Sequence, residues 1–232
     1  MEDQIEQIPV SSLAKEDQAT FFRKTYAHIA LAVLAFIIVE TIFLNTPFIV
    51  EFALSIASGW TWLLLLGGFM FITNFAQNMA RNAVDRNKQY LAMLLFIIAE
   101  AFIFVPLIFI AMYYSDGAGS IIYQAALLTV SLFTGLTAVA LLTKKDFSFL
   151  RTIITVGSFI ALGLITAGIL FGFNLGLWFS VGMIVLASGS ILYQTSNIKN
   201  EYRADQYVAA ALGLFASLML LFWYILSILN RD

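Results

Sequence analysis

Residues 144–150 read Lys-Lys-Asp-Phe-Ser-Phe-Leu and lie near the centre of the chain. This short charged stretch separates two long apolar runs, at residues 120–143 and 151–173. Each run has about the 20 residues that a helix needs to cross the hydrocarbon core of a bilayer. The stretch therefore predicts a turn between two membrane-spanning helices.

The composition of the whole chain agrees with this interpretation. Of 232 residues, 61% are hydrophobic and only 11% are charged, whereas a soluble domain carries about 25% charged residues. We therefore expect a polytopic membrane protein in the lipid bilayer. The net charge of −2 argues against a nucleic-acid partner. The chain has no Cys and one His, so we expect no disulfide, no thiol chemistry, no metal site and no cofactor.

Seven apolar runs follow a polar tail at residues 1–24, and together they predict an all-α bundle of seven transmembrane helices within residues 25–232. Residues 48–57 are apolar but short and carry Glu51. This segment is either a helix on the outer surface or a helical lead-in to the second span. The predicted spans are residues 25–44, 59–77, 89–113, 120–143, 151–173, 177–198 and 206–229.

The cations predict the orientation of this bundle. Eleven of the 12 Lys and Arg residues fall in the N-terminal tail and in the loops after the second, fourth and sixth spans. Only Arg231 lies on the other side. Because Lys and Arg concentrate in cytoplasmic loops, we expect a cytoplasmic N-terminus and a C-terminus outside.

Three ionisable residues stand within the spans and are candidates for an ion path or a titrating site. An ionised Asp at mid-bilayer costs roughly 2.5–3.5 kcal/mol on insertion scales, so a group of this kind suggests a function. Glu100 lies near the middle of the third span, Glu40 toward the outer end of the first, and His28 near its inner end.

Each candidate also has a structural interpretation. Glu100 could gate or carry protons or cations, or it could be a protonated carboxyl bonded to a Ser or Thr on the next helix. Glu40 is expected at the interface, where it can reach headgroups or outer water. His28 is expected to be an interfacial residue near Arg23 and Lys24, with pH sensing as the alternative.

The sequence offers no catalytic residue. Gly-Ser pairs at residues 157–158 and 189–190 suggest an intramembrane serine protease, but a nucleophilic Ser needs a base within reach. The lone His stands at the wrong end of the first span for that role. We therefore expect that the protein is not an enzyme and that the small residues serve helix packing.

Two stretches resemble motifs of the Bax inhibitor-1 family, also called the transmembrane BAX inhibitor motif family. Residues 142–150 resemble the family's loop between the fourth and fifth helices, through Lys144, Lys145, Asp146 and Ser148. Residues 189–198 are similar to its sixth-helix signature, through Tyr193, Thr195 and Ile198. The seven-span layout also matches, and the sequence of the second stretch is most similar to that of the bacterial YccA-type members.

The resemblance implies a seven-helix bundle with the last helix at its centre, in the bacterial inner membrane. It implies a role in stress tolerance and, for some members, a pH-sensitive calcium or cation leak. YccA-type members are associated with the membrane protease FtsH, as substrate and inhibitor, and the polar N-terminal tail is where the protease would take hold.

The sequence departs from the family pattern at an important pair of positions. Calcium-leak members use an Asp in the sixth helix and an Asp in the seventh, which share a proton and close the pore. The corresponding positions here are Gln194 and Ser217. A Gln–Ser pair can hydrogen-bond but cannot titrate or hold a hard cation well. The expected function is therefore regulation of FtsH through protein contacts, with a cation leak that uses Glu100 as the alternative.

Overall fold

A computed structural model of the chain describes residues 9–82, 85–113, 118–143 and 145–231, without the side chains of residues 118 and 199. In this part, a 3-10 turn at Val10–Ser12 precedes eight α-helices. The helices are α1 Lys15–Leu44, α2 Pro47–Ile56, α3 Gly59–Asn82, α4 Arg86–Tyr113, α5 Ala118–Leu142, α6 Leu150–Phe171, α7 Gly176–Asn200 and α8 Tyr207–Leu229.

Seven of these helices are long and apolar enough to cross a membrane, and the exception is α2. The predicted all-α bundle with seven spans is therefore confirmed. The largest differences are at α1, which begins at Lys15 instead of residue 25, and at α3, which continues to Asn82 instead of residue 77. Hydropathy marks the part of a helix inside the bilayer, whereas the helix itself can continue through polar residues beyond it.

Local chemistry sets several helix ends. Pro47 occupies the first turn of α2, where its missing N–H breaks no helical bond, and Thr46 before it is extended, with φ −110° and ψ 99°. The apolar segment at residues 48–57 therefore lies mostly within α2, a short helix separate from α1 and α3. Gly172 ends α6 with φ +70°, a left-handed conformation that side chains other than glycine disfavour.

The last helix, α8, occupies the centre of the bundle. It packs against α1, α3, α4, α5 and α7, and most of its residues are buried. Aromatic contacts join it to α4: the ring centroid of Phe104 is 5.7 Å from that of Phe222 and 4.9 Å from that of Trp223. A helix that is apolar on all sides is expected to be buried, so this sequence suits the central position.

The outer helices present apolar side chains to the lipid. Leu64 and Phe71 on α3, and Phe159 and Ile160 on α6, are each more than half exposed. In a soluble protein such surfaces would be unfavourable, but hydrocarbon solvates them. α3 and α6 therefore have extensive lipid-facing surfaces and few buried residues.

Candidate functional site

Positive side chains collect at the end of the bundle where α1 begins and α7 ends, and we call it the cationic end. It carries Arg81, Lys145, Arg151 and Arg203. Arg231 follows α8 at the opposite end. The cationic end is the face for which the sequence predicts a cytoplasmic location.

The loop with the first family motif is folded against the cationic end. Asp146 accepts hydrogen bonds from the backbone N–H of Ser148, at 2.9 Å, and from its hydroxyl. These bonds favour the ionised carboxylate and lower the pKa of Asp146. Phe147 is buried, and its N–H faces Ser196 Oγ at 3.5 Å. Lys144 lies outside the described residues.

The second family motif meets the first at this loop. On α7, Thr195 and Ile198 are buried and Tyr193 is half-buried. A cavity of about 440 Å³ is bordered by Lys145 and Asp146 from the loop and by Thr195 from α7. The loop of the first stretch therefore contacts the C-terminal part of the second stretch at the cationic end.

The N-terminal segment also docks at the cationic end. Val10 is fully buried, and its backbone N–H donates to the carbonyl of Tyr202 at 2.9 Å. Gln18 Nε2 donates to the carbonyl of Leu13 at 2.9 Å. The expected tail at residues 1–24 is therefore not a free segment throughout: residues 9–13 pack on the bundle and residues 15–24 belong to α1. Residues 1–8 lie outside the described part.

Tyr202 connects this docked segment to α3. Arg81 Nη2 donates to the Tyr202 hydroxyl at 2.9 Å, and the guanidinium lies 5.2 Å from the ring centroid. Gln206 Nε2 donates to the carbonyl of Arg81 at 2.8 Å. Burial raises the pKa of the Tyr202 phenol, and Arg81 partly offsets this effect. The α7–α8 loop, α3 and the N-terminal segment are thus one connected unit.

His28 lies close to this unit and is half-buried. Its Nδ1 is 2.7 Å from the carbonyl of Lys24, and because a carbonyl can only accept, Nδ1 carries the hydrogen. Its Nε2 is 3.0 Å from the Tyr90 hydroxyl, and its ring centroid is 5.0 Å from that of Tyr207. The His28 ring thus joins α1 to α4 and α8, and its location at the membrane interface near Arg23 and Lys24 stays a prediction.

Gln194 and Ser217 border one cavity of about 590 Å³ but face different partners. Ser217 Oγ is 2.8 Å from Ser190 Oγ, one helical turn before Gln194. A Cβ atom placed on Gly213 would lie 3.0 Å from Gln194 Oε1. The register of α7 against α8 thus pairs Ser190 with Ser217 and Gln194 with Gly213. Ser217 therefore hydrogen-bonds Ser190 and not Gln194.

Glu100 lines a neighbouring cavity of about 510 Å³. Its side chain is 5% exposed, and its Oε2 atom has no hydrogen-bond partner among the described residues. Phe69 and Leu220 border both this cavity and the one at Gln194. The two cavities therefore adjoin along α8, with Gln77 near the cationic end and Arg231 near the opposite end.

Glu40 does not lie at an exposed interface, and this part of the prediction is wrong. Its side chain is 4% exposed and lines a third cavity between α1 and α5. The rotation of α1 in the bundle directs Glu40 toward α8, which the sequence of α1 alone does not reveal.

Sequence reasoning missed two residues that complete these sites, Gly213 and Tyr202, and assigned Ser190 only to helix packing in general. Ser190 and Gly213 set the contact between α7 and α8, and Tyr202 holds the N-terminal segment. The small residues of the sixth span were a usable signal for Ser190, because small side chains mark close helix contacts. A lone Tyr in a short loop gives no comparable signal.

The fold and these sites define a polytopic all-α membrane protein, with seven spanning helices of which the last is buried at the centre, and with its first motif loop packed against α7 at the cationic end. The chain belongs to the family described as inhibitor of apoptosis-promoting Bax1, which matches residues 18–232. The resemblance carried by residues 142–150 and 189–198 is therefore confirmed.

Relatives come from bacteria and a plant. An uncharacterized protein of Pseudomonas aeruginosa is 39% identical over 111 residues, which are 47% of this chain and 50% of the relative. The modulator of FtsH protease YccA of Escherichia coli K12 is 35% identical over 119 residues, 51% of this chain and 54% of the relative. Protein LIFEGUARD 4 of Arabidopsis thaliana is 28% identical over 217 residues, 90% of this chain and 83% of the relative. The chain thus matches the bacterial relatives over about half their length.

Proposed function

We propose that this protein is a stress-related regulator in the bacterial inner membrane that acts through protein contacts, as modulator and substrate of the membrane protease FtsH. The observation that carries the proposal is the docking of residues 9–13 on the α7–α8 loop at the cationic end. Similarity to an FtsH modulator supports the choice of partner. This action requires no catalytic group in the chain.

The docked segment supplies a defined handle. Val10 is held by burial and by the bond from its N–H to Tyr202, and residues 1–8 precede it in the sequence. A protease that grips the N-terminus would have to pull Val10 away from the α7–α8 loop before it reached α1. The strength of this docking would therefore set how readily the chain is degraded.

The turnover of the chain by FtsH tests the proposal. Deleting residues 1–8 should lengthen the half-life of the protein in cells that contain FtsH, whereas Val10→Asp, which undocks the segment, should shorten it. Ser11→Asp is the matched control, because Ser11 is exposed beside Val10. The proposal would be contradicted if neither the deletion of residues 1–8 nor Val10→Asp changed the turnover of the chain and FtsH activity on other substrates was also unchanged.

A second candidate function is a pH-sensitive cation leak, and the adjoining cavities along α8 favour it. Glu100 supplies a carboxyl group to one cavity, and Gln194 and Ser217 supply neutral polar groups to the next. The bulky side chains of Phe69 and Leu220 stand where the cavities meet, in the position of a constriction. In this proposal Glu100 titrates in place of an acidic pair.

Flux into proteoliposomes tests this candidate. Calcium or proton flux should fall in Glu100→Gln and stay unchanged in Glu51→Gln, since Glu51 is exposed on α2. A pH-sensitive leak should respond between about pH 5 and about pH 8, the range in which proteins sense physiological pH. The absence of flux throughout this range would exclude the leak.

A further inference from the structure

A lateral cavity of about 320 Å³ lies between α1 and α5, in the half of the bundle away from the cationic end. Leu218 and Met219 of α8 form its buried back wall. Ile37 and Val130 border the cavity and are 53% and 57% exposed on the lipid-facing surface. The cavity therefore opens toward the hydrocarbon of the bilayer.

Glu40 is the one ionisable side chain among the described residues that line this cavity. Both of its carboxyl oxygens are buried without a hydrogen-bond partner in the described structure. The side chain is more than nine-tenths buried, so neither lipid headgroups nor bulk water surrounds it. The acid is a polar group in the wall of an otherwise apolar site.

The two hydroxyls that line the cavity donate elsewhere. Thr41 Oγ1 donates to the carbonyl of Ile37 at 2.7 Å, and Thr129 Oγ1 donates to the carbonyl of Ala125 at 2.7 Å. An ionised carboxyl group can only accept hydrogen bonds. Neither hydroxyl therefore serves Glu40, whose carboxyl oxygens have no partner among the described residues, and an occupant of the cavity can supply one.

We infer that this cavity binds a lipophilic amine, an apolar chain that carries one primary ammonium group. The ammonium group has three donors and the opposite charge, so it satisfies the carboxylate oxygens and neutralises the buried charge. The apolar chain fills the space between α1 and α5. The volume is within the range of small-molecule sites, about 300–1,000 Å³.

Such an amine has two sources. Glu40 stands four residues before the end of α1 at Leu44, which corresponds to about 6 Å along the helix. The ammonium group of an aminolipid headgroup in the adjacent leaflet can approach from that end. A free alkylamine dissolved in the bilayer can enter from the side. Both present the same chemistry to Glu40, and neither depends on the proposed contact with FtsH.

Native mass spectrometry of the full chain in detergent micelles tests the inference, with dodecylamine as the probe and 1-dodecanol as its neutral counterpart. The amine should bind more tightly than the alcohol. Glu40→Gln should weaken amine binding about tenfold or more, the equivalent of one charge-assisted hydrogen bond. Glu51→Gln is the control, because Glu51 is exposed on α2 and does not line this cavity.

Ala126→Phe gives a second variant that leaves Glu40 in place. Ala126 lines the cavity and is exposed on α5, so a larger side chain occupies the cavity without entering the core. This variant should also weaken dodecylamine binding, and it decides the question if Glu40→Gln does not fold. Equal binding of the amine and the alcohol, or unchanged amine binding in Ala126→Phe, would overturn the inference.

Nanodiscs distinguish the two sources. Adding an ethanolamine phospholipid to discs of choline phospholipid should displace dodecylamine from the wild-type chain if the headgroup is the ligand. Displacement identifies an aminolipid, whereas bound dodecylamine that resists the added lipid identifies a free amine.

Discussion

The hydroxyl of Ser190 on α7 lies 2.8 Å from the hydroxyl of Ser217 on the central helix α8. Ser217 also faces the carbonyl of Gly213 at 3.3 Å. This small polar contact lies beside Gln194, which stands where the family pattern has an acid. The contact is neutral, so it links the two helices without a charge that protons or cations could change.

Ser190→Ala and Ser217→Ala should each lower the free energy of unfolding by about 0.5–1.5 kcal/mol, the usual net value of one hydrogen bond. The double variant should lose less than the sum, because both changes remove the same bond. Denaturation by increasing sodium dodecyl sulfate in mild detergent micelles measures these values. Additive losses would show that the two hydroxyls are not paired.

Gly157→Ala should destabilise the contact between α6 and α7 by about 0.5–1.5 kcal/mol, the cost of moving the Leu186 side chain from its preferred rotamer. A Cβ atom at residue 157 would overlap the side chain of Leu186. Gly163→Ala is the matched control on the same helix, since a Cβ there meets no atom within 4 Å. That control should be neutral or stabilising by up to about 1 kcal/mol, because Ala favours helix more than Gly does.

The same detergent unfolding measurement compares the two glycine variants. Leu186→Ala should restore the stability of Gly157→Ala, because it removes the group that the new methyl meets. Equal effects at residues 157 and 163 would contradict the close approach of α6 to α7.

Val10→Asp should release residues 9–13 from the cationic end. Burying a Val side chain is worth about 1.5–3 kcal/mol, and a buried Asp without a partner is unfavourable. Exchange of the backbone N–H of residue 10 with solvent should therefore be about tenfold or more faster in the variant than in the wild type. Hydrogen–deuterium exchange of the full chain measures this rate. Exchange should stay unchanged in Ser11→Asp, and equal protection in all three proteins would show that the segment is not docked.

Ser148→Ala should raise the pKa of Asp146, because it removes the hydroxyl donor that favours the carboxylate. Since the pKa of Asp146 is lowered in the folded chain, its stabilising contribution is present above the unfolded pKa and is lost as the pH falls through the folded pKa. Carbon-13 resonances of the Asp146 carboxyl, followed through an acid titration, measure the shift. An unchanged pKa in Ser148→Ala would mean that the backbone N–H alone sets it.

The sequence predicted the spans because hydrocarbon imposes a length and a composition on each of them. It did not predict where α1 begins, since residues 15–24 are polar yet continue the helix beyond the apolar run. It identified Glu100 as buried because that residue stands at the middle of an apolar span. The burial of Glu40 depends on how α1 is rotated against α8, which no local pattern records.

The sequence predicted individual residues of the candidate sites but not the contacts between them. Both motif stretches could be recognised from their residues, but the contact of Phe147 with Ser196 depends on tertiary packing. The neutrality of Gln194 and Ser217 can be read directly from the sequence, whereas their partners follow from the register of two helices. The docking of Val10 uses a backbone bond to Tyr202, and backbone bonds leave little trace in side-chain patterns.

The most direct test of the central proposal is the degradation rate of a second membrane substrate by FtsH co-reconstituted with this protein. We expect the full chain to slow that degradation, and we expect the variant lacking residues 1–8 to resist its own degradation. A substrate half-life that does not change at any ratio of the chain to FtsH, together with a chain that FtsH does not degrade, would contradict regulation of FtsH through protein contacts.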